Sequence, residues 1–304
     1  MKQLILKIAL FLFVIFLVEK PIGYLIANGA VNRQYDLRIH KLMQGEIESD
    51  IIILGSSRAL NGVDAGALQQ ELGQFTVYNF GYSGSNLLFH QSIFQLITRV
   101  YIPKKIVLVI DDQNAFKQNE KAIYRRDKLY PFIQYDPVLA EVVQHSSKTY
   151  IPSKVSWLYR ENQNMFEAIN FYLKGPQEPD ETTDVDDYGF IPLSNDQQKL
   201  NKLVDRSLSI NYDLEDELPE YINSLMSIDE KCRELGIELY LLRLPSYNKK
   251  IEGFNDRLAE IVNDKTRLLD FSNRLIGEEF YYDNGHLSAR GASEISLMLS
   301  KEIN

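Results

Sequence analysis

Asp50–Ser57 reads DIIILGSS. Four consecutive apolar residues, three of them β-branched, stop abruptly at Gly55 and two serines, the pattern of a strand buried on both faces that ends in a turn. Downstream, VDAGALQQELG at Val63–Gly73 has helical spacing, with Asp64 placed to cap its start and Gly73 to end it. FTVYNFGYSGSN at Phe75–Asn86 follows as a second strand running into a glycine-containing turn, and Leu87–Val100 carries apolar residues at helical intervals. KKIVLVIDDQN at Lys104–Asn114 repeats the buried strand with a polar end, and so do GIELYLLRLPS at Gly236–Ser246 and TRLLDFS at Thr266–Ser272. Helical stretches around 214–235, 255–263 and 289–303 separate or follow these strands. The expected fold is therefore α/β, a parallel five-stranded sheet with helices on both faces, and its sites form beyond the carboxyl ends of the strands.

Between about 117 and 213 the alternation stops, and aromatic, proline and acidic residues mix in LYPFIQYDPVLAEVV and DDYGFIPL. This segment reads as an insertion or cap within a domain that covers 31–304. A cluster of acids at Asp180–Asp187 reads as a solvated loop.

The formal net charge of -9, without a Lys/Arg-rich run, lacks the electrostatic footprint of a nucleic-acid binder. Cys232 is the only cysteine, so the chain alone can build neither a disulfide nor a cysteine-based zinc site. No metal or organic cofactor is implied.

The N-terminus carries Lys2 and Lys7 ahead of IALFLFVIFLV at Ile8–Val18, then Glu19, Lys20 and PIGYLIANGA. A charged start before a greasy core marks residues 1–30 as a membrane anchor or an export signal. Small residues at Ala27–Ala30 offer a cleavage site but lie far from the apolar run, so an uncleaved single-pass anchor at the cell membrane is expected, with the remainder extracytoplasmic. Secretion after cleavage is the alternative.

A serine hydroxyl needs a base to take its proton, and the base needs an acid to fix its tautomer. Ser57 stands directly after the first strand. Of the four histidines, only His286, in YYDNGHLSARGA, has an acid at a close, turn-compatible spacing, namely Asp283 across Asn284 and Gly285. Either motif alone reads equally as turn and cap chemistry, with Ser288 placed to cap the final helix.

Taken together and in order, these blocks resemble the SGNH (GDSL-type) hydrolases, whose sheet is flavodoxin-like. GSS at Gly55–Ser57 resembles the nucleophile block, NFGYSGSN the second block and DNGH the last. The resemblance implies Ser57 as nucleophile, His286 as base, Asp283 as its partner, and the backbone N–H groups of Ser57 and Gly84 as oxyanion donors. Asn114 falls at the position of the family's oxyanion asparagine. The surrounding block departs from Gly-x-Asn-Asp, with Asp112 in place of the glycine and Ala115 in place of the aspartate, so the hole rests on two donors if the Asn114 amide does not reach it.

GSSR, the anchor and the long insertion resemble the branch that includes alginate O-acetylation and teichoic-acid D-alanylation proteins. That implies an acyl-ester hydrolase or O-acyltransferase, with acetyl the expected group, acting on a surface or exported polysaccharide, and a membrane-bound O-acyltransferase as partner. Arg58 is a candidate for binding an anionic donor or polymer, against a structural pairing with a nearby carboxylate. An anchored, non-catalytic glycan-binding or assembly protein and a secreted lipase or esterase are the rival readings.

Overall fold

The structure is a computed structural model that describes residues 1–304 except 112–114, 180–182, 195–207 and 248; the side chains at 12 and 208 are also outside the described residues. The chain divides into two compact units, one of residues 1–44 and 126–180, the other of 45–125 and 181–304.

In the second unit the described strands are β1 (Ile51–Leu54), β2 (Val77–Asn79), β3 (Lys105–Val109), β4 (Leu208–Asn211), β5 (Glu238–Arg243), β6 (Lys249–Glu252) and β7 (Arg267–Asp270). Five of them form one all-parallel sheet in the order β2-β1-β3-β5-β7. Counted among themselves along the chain, they run 2-1-3-4-5, a doubly wound order whose switch point lies between β1 and β3. The register pairs Ile51 with Lys105 and Ile53 with Val107, so the carboxyl ends of β1 and β3 stop side by side.

Both faces of the sheet are buried. Ile51, Ile53, Val107, Val109, Tyr240 and Leu242 share one core cluster with Leu68 and Leu72 of the helix Ala65–Leu72 and with Ile295, Leu299 and Ile303 of the helix Ala289–Ile303. Ile52, Leu54, Ile106 and Leu108 alternate onto the opposite face and are also fully buried. The helices Leu87–Val100 and Pro219–Leu235 pack against each other there. Caps start the helices where the sequence places them: Asp64 Oδ1 accepts from Ala67 N at 2.9 Å, and Ser288 Oγ accepts from Gly291 N at 3.2 Å. The pair β4 and β6 forms a separate two-stranded parallel ribbon.

In the first unit a single helix, Lys2–Arg33, runs through Pro21. Its second half packs on the helices Trp157–Glu161 and Met165–Lys174. Gly23 and Gly29 permit the close approach: a Cβ on Gly23 would meet Trp157 Cβ at 2.5 Å, and one on Gly29 would meet Ala168 Cα at 2.9 Å. Ala27 and Ala30 are buried in the same seam, so the small residues that read as a cleavage site have a packing role. Among the described residues no helix is long and apolar enough to cross a membrane; the side chain of Leu12, in the middle of the apolar run, is outside them.

Candidate active site

Ser57 is the first residue of the helix Ser57–Gly62, one turn beyond β1, and Ser56 caps that helix by accepting from Arg58 N at 3.3 Å. The turn between strand and helix requires Gly55: its φ is +145°, and a Cβ there would meet Ala59 Cβ at 2.8 Å and Val109 O at 3.0 Å. The tight turn lifts the Ser57 side chain above the end of the sheet. Buried Asn79 braces it from β2, donating through Nδ2 to Ala59 O at 2.8 Å and Val63 O at 2.9 Å.

The imidazole arrives from the far end of the chain. His286 Nε2 lies 2.8 Å from Ser57 Oγ, and its Nδ1 lies 2.9 and 3.0 Å from the two oxygens of Asp283. The loop that carries both is tied locally: Asp283 Oδ1 accepts from Gly285 N at 2.8 Å and His286 N at 2.9 Å, and Ser288 Oγ donates to Glu279 O at 2.8 Å. Half-burial pushes the Asp283 carboxyl up, but the His286 hydrogen bond and charge, with the two backbone N–H groups, outweigh it and hold the pKa at about 2. An ionised carboxylate only accepts, so Nδ1 carries the proton and Nε2 presents its lone pair to the serine hydroxyl. The three residues named from sequence thus meet as a hydrogen-bonded relay.

No protein-family model matches the chain, and no curated protein matches it either.

The loop after β2 is hung on the same turn. Gly55 O accepts from Tyr82 N at 2.9 Å and from Ser85 Oγ at 3.4 Å, so residues 82–85 are tied to the residue two before the nucleophile. Gly84 in that loop has φ +67°, and Ile123 N donates to its carbonyl at 2.9 Å. Among the described residues neither the Ser57 nor the Gly84 backbone N–H has a partner, as two donors kept for an anion would not. Asn114 and Asp112 lie outside the described residues.

Arg58 turns inward. Its guanidinium is buried, donates to Leu244 O at 2.5 Å and Pro245 O at 3.0 Å, and stands 3.7 Å from Asp111. The side chain anchors the loop after β5 and is not presented to a polymer, which is the structural alternative weighed from sequence. Two of the other three histidines have partners outside the relay: Nδ1 of His40 pairs with the Tyr135 hydroxyl at 2.9 Å, and Nε2 of His90 with Ser85 Oγ at 2.8 Å. Complete burial pushes His90 down to about 3, which keeps it neutral.

At the β1/β3 switch point a cavity of about 30 Å³ is lined by Ser56, Ser85, Asn86, His90 and Asp111 among others, and by none of the three relay residues. A larger groove of about 450 Å³, between the helices Leu87–Val100 and Pro219–Leu235, contains none of the three relay residues. Among the described residues no three His, Cys, Asp or Glu side chains cluster as metal ligands.

Sequence reasoning missed Asn79 and Tyr82 as supports. The only signal for Asn79 was a polar residue closing an apolar strand, which does not distinguish a brace from a turn.

Proposed function

We propose that this protein is a serine-dependent acyl-ester hydrolase or O-acyltransferase that acts on a cell-surface or exported polysaccharide. The observation that carries the reading is the relay Ser57 Oγ, His286 Nε2 and Nδ1, and Asp283, with both links at hydrogen-bonding distance. Ser57 attacks the ester carbonyl as its proton passes to His286 Nε2, and Asp283 steadies the imidazolium. The tetrahedral oxyanion is met by the free N–H groups of Ser57 and Gly84. Collapse gives an acyl-serine and returns the proton to the leaving alcohol; water or a sugar hydroxyl then takes the acyl group by the reverse sequence.

The apolar N-terminal helix supports a membrane anchor with the site on the extracytoplasmic side. A membrane-bound O-acyltransferase is the partner that this arrangement would serve.

The test uses the full chain in detergent with an aryl acetate and a serine-directed phosphonate. Wild type turns over the ester and is labelled, whereas Ser57→Ala and His286→Ala lose turnover by about 10⁴-fold or more. Wild type that neither turns over nor labels, or Ala variants that match it, would refute the reading. Glycan binding that survives Ser57→Ala without acyl chemistry selects the non-catalytic alternative.

A further inference from the structure

Along residues 4–18 the N-terminal helix exposes Leu4, Ile5, Leu6, Ile8, Leu10, Phe11 and the apolar residues from Phe13 to Val18; past Lys7 the described side chains are apolar on every side of its axis. A partner protein covers one side of such a helix; lipid covers all of it. The next two residues are charged, yet neither charge faces outward unsatisfied. Glu19 is 8% exposed and accepts from Leu158 N at 2.9 Å, while Lys20 Nζ donates to Val155 O at 2.6 Å and sits about 5 Å from the ring centroids of Phe16 and Trp157. Past them the helix still exposes Ile22, Tyr24 and Leu25.

The elements that satisfy those two charges carry apolar surface of their own. Ile151 is 74% exposed and Val155 60%, on the helix Tyr150–Val155. On Met165–Lys174 the exposed apolar side chains are Met165, Phe166, Ile169, Tyr172 and Leu173, a recurrence at i, i+1, i+4, i+7 and i+8 that is one continuous helix face. Ala168 and the ring of Tyr172, at the flank of this face, pack against Gly29, and the Tyr172 hydroxyl donates to Leu25 O at 3.0 Å. The corner between the two helices is fixed by buried Glu161, which accepts from Arg160 Nε at 2.8 Å and Asn164 Nδ2 at 2.7 Å. An amphipathic helix normally turns its apolar face to its own core; this one turns it outward, next to the greasiest helix of the chain.

We infer that the bilayer which receives the N-terminal helix also receives the exposed apolar side chains Ile151, Val155, Phe166, Ile169 and Leu173, so that this unit beds into the headgroup layer rather than standing clear of it. The inference rests on the membrane-anchor part of the proposed function and is independent of the serine chemistry. Lipid is favoured over a protein occupant by the continuity of this surface with a helix that is apolar all round. The aromatic residues Tyr150, Trp157, Tyr159 and Tyr172, each with an apolar body and a polar tip, and the flanking Lys174 suit the boundary between acyl chains and phosphates; Lys154 is instead paired with Asp136, at 2.6 Å from Oδ1.

Trp157 is the only tryptophan in the chain and lies in this region, packed on Gly23. The full chain is reconstituted into phosphatidylcholine/phosphatidylglycerol vesicles, washed with alkaline carbonate, and its Trp157 emission compared between plain lipids and lipids brominated near the headgroup end of the acyl chains. The expected result is retention through the wash, an emission about twofold lower in brominated lipid, and weak quenching by acrylamide. The double variant Ile151→Asp, Val155→Asp changes only exposed side chains and is expected to stay on the vesicles, lose most of the lipid quenching and gain acrylamide quenching. Retained protein whose Trp157 is reached by acrylamide and not by bromolipid overturns the inference and leaves the anchor standing, as expected if a protein covers this face. Equal quenching in wild type and double variant overturns it too. Release of wild type by the wash overturns the anchor and the inference together, with the Ser57 labelling experiment unaffected.

Discussion

The hydroxyl of Ser57 and the imidazole of His286, 2.8 Å apart, come from positions 229 residues distant in sequence, and Asp283 fixes which nitrogen faces which. Asp283→Asn keeps the shape but offers an amide that can donate to Nδ1, which favours the wrong tautomer. Turnover of an aryl acetate is expected to fall about 10⁴-fold with little change in KM. The same carboxylate gives an acid-stability prediction. Its folded pKa of about 2 lies below the usual carboxylate range, so its stabilisation is full above about pH 4 and is lost as pH falls from there toward 2. Asp283→Asn lacks this titration, and circular dichroism against pH is expected to show a shallower loss of stability for the variant within that window.

At the scale of elements, the supports of the site are as testable as the site. Asn79 is fully buried and holds two carbonyls around the helix Ser57–Gly62 while its Oδ1 accepts from Gly81 N at 2.8 Å. Asn79→Ala removes three hydrogen bonds from an interior that water does not reach, and urea unfolding is expected to show a loss of about 3 kcal/mol. Ser288→Ala removes the cap of the last helix and the tie to Glu279, at a cost of about 1 kcal/mol and a melting temperature about 2–4 °C lower by calorimetry.

β1, β3 and β5 were legible because each is a mostly apolar, buried run with an abrupt polar end, and burial on both faces leaves little room for other patterns; β2 and the half-buried β7 show the same pattern in shorter form. β4 and β6, LSIN and KKIE, were not, since short strands with one exposed face carry too few apolar positions to register. The helices between 126 and 174 were passed over as an insertion for a related reason. Most are one to two turns long, and Pro131, Pro137 and Pro152 break any period before it can accumulate. The meeting of Ser57, Asp283 and His286 was legible through the order of blocks that resemble a known family, and the pairing of Arg58 with a nearby carboxylate was weighed from sequence; its bonds to the carbonyls of Leu244 and Pro245 were not legible, because a backbone oxygen has no letter in a sequence.

At the scale of the molecule, the segment expected to act as an uncleaved anchor shares a core with residues far along the chain. Ile26, Ala27, Ala30 and Val31 are buried, and Arg33 donates to Gly175 O at 2.7 Å. A chain starting at Val31 would uncover Trp157 and Ala168. Hydrogen exchange on such a chain is expected to show residues 126–174 losing protection relative to the full chain, while the strands of the other unit, which have their own core, keep theirs.

Because Lys2–Arg33 is one unbroken helix whose lower half is clasped between Gly23 and Arg33, its upper half is a rigid shaft and not a leash. Its azimuth is therefore set by register. One extra residue inserted between Val18 and Gly23 would swing the first eighteen positions by about 100° and advance them by about 1.5 Å relative to the clasp, without altering their composition at all.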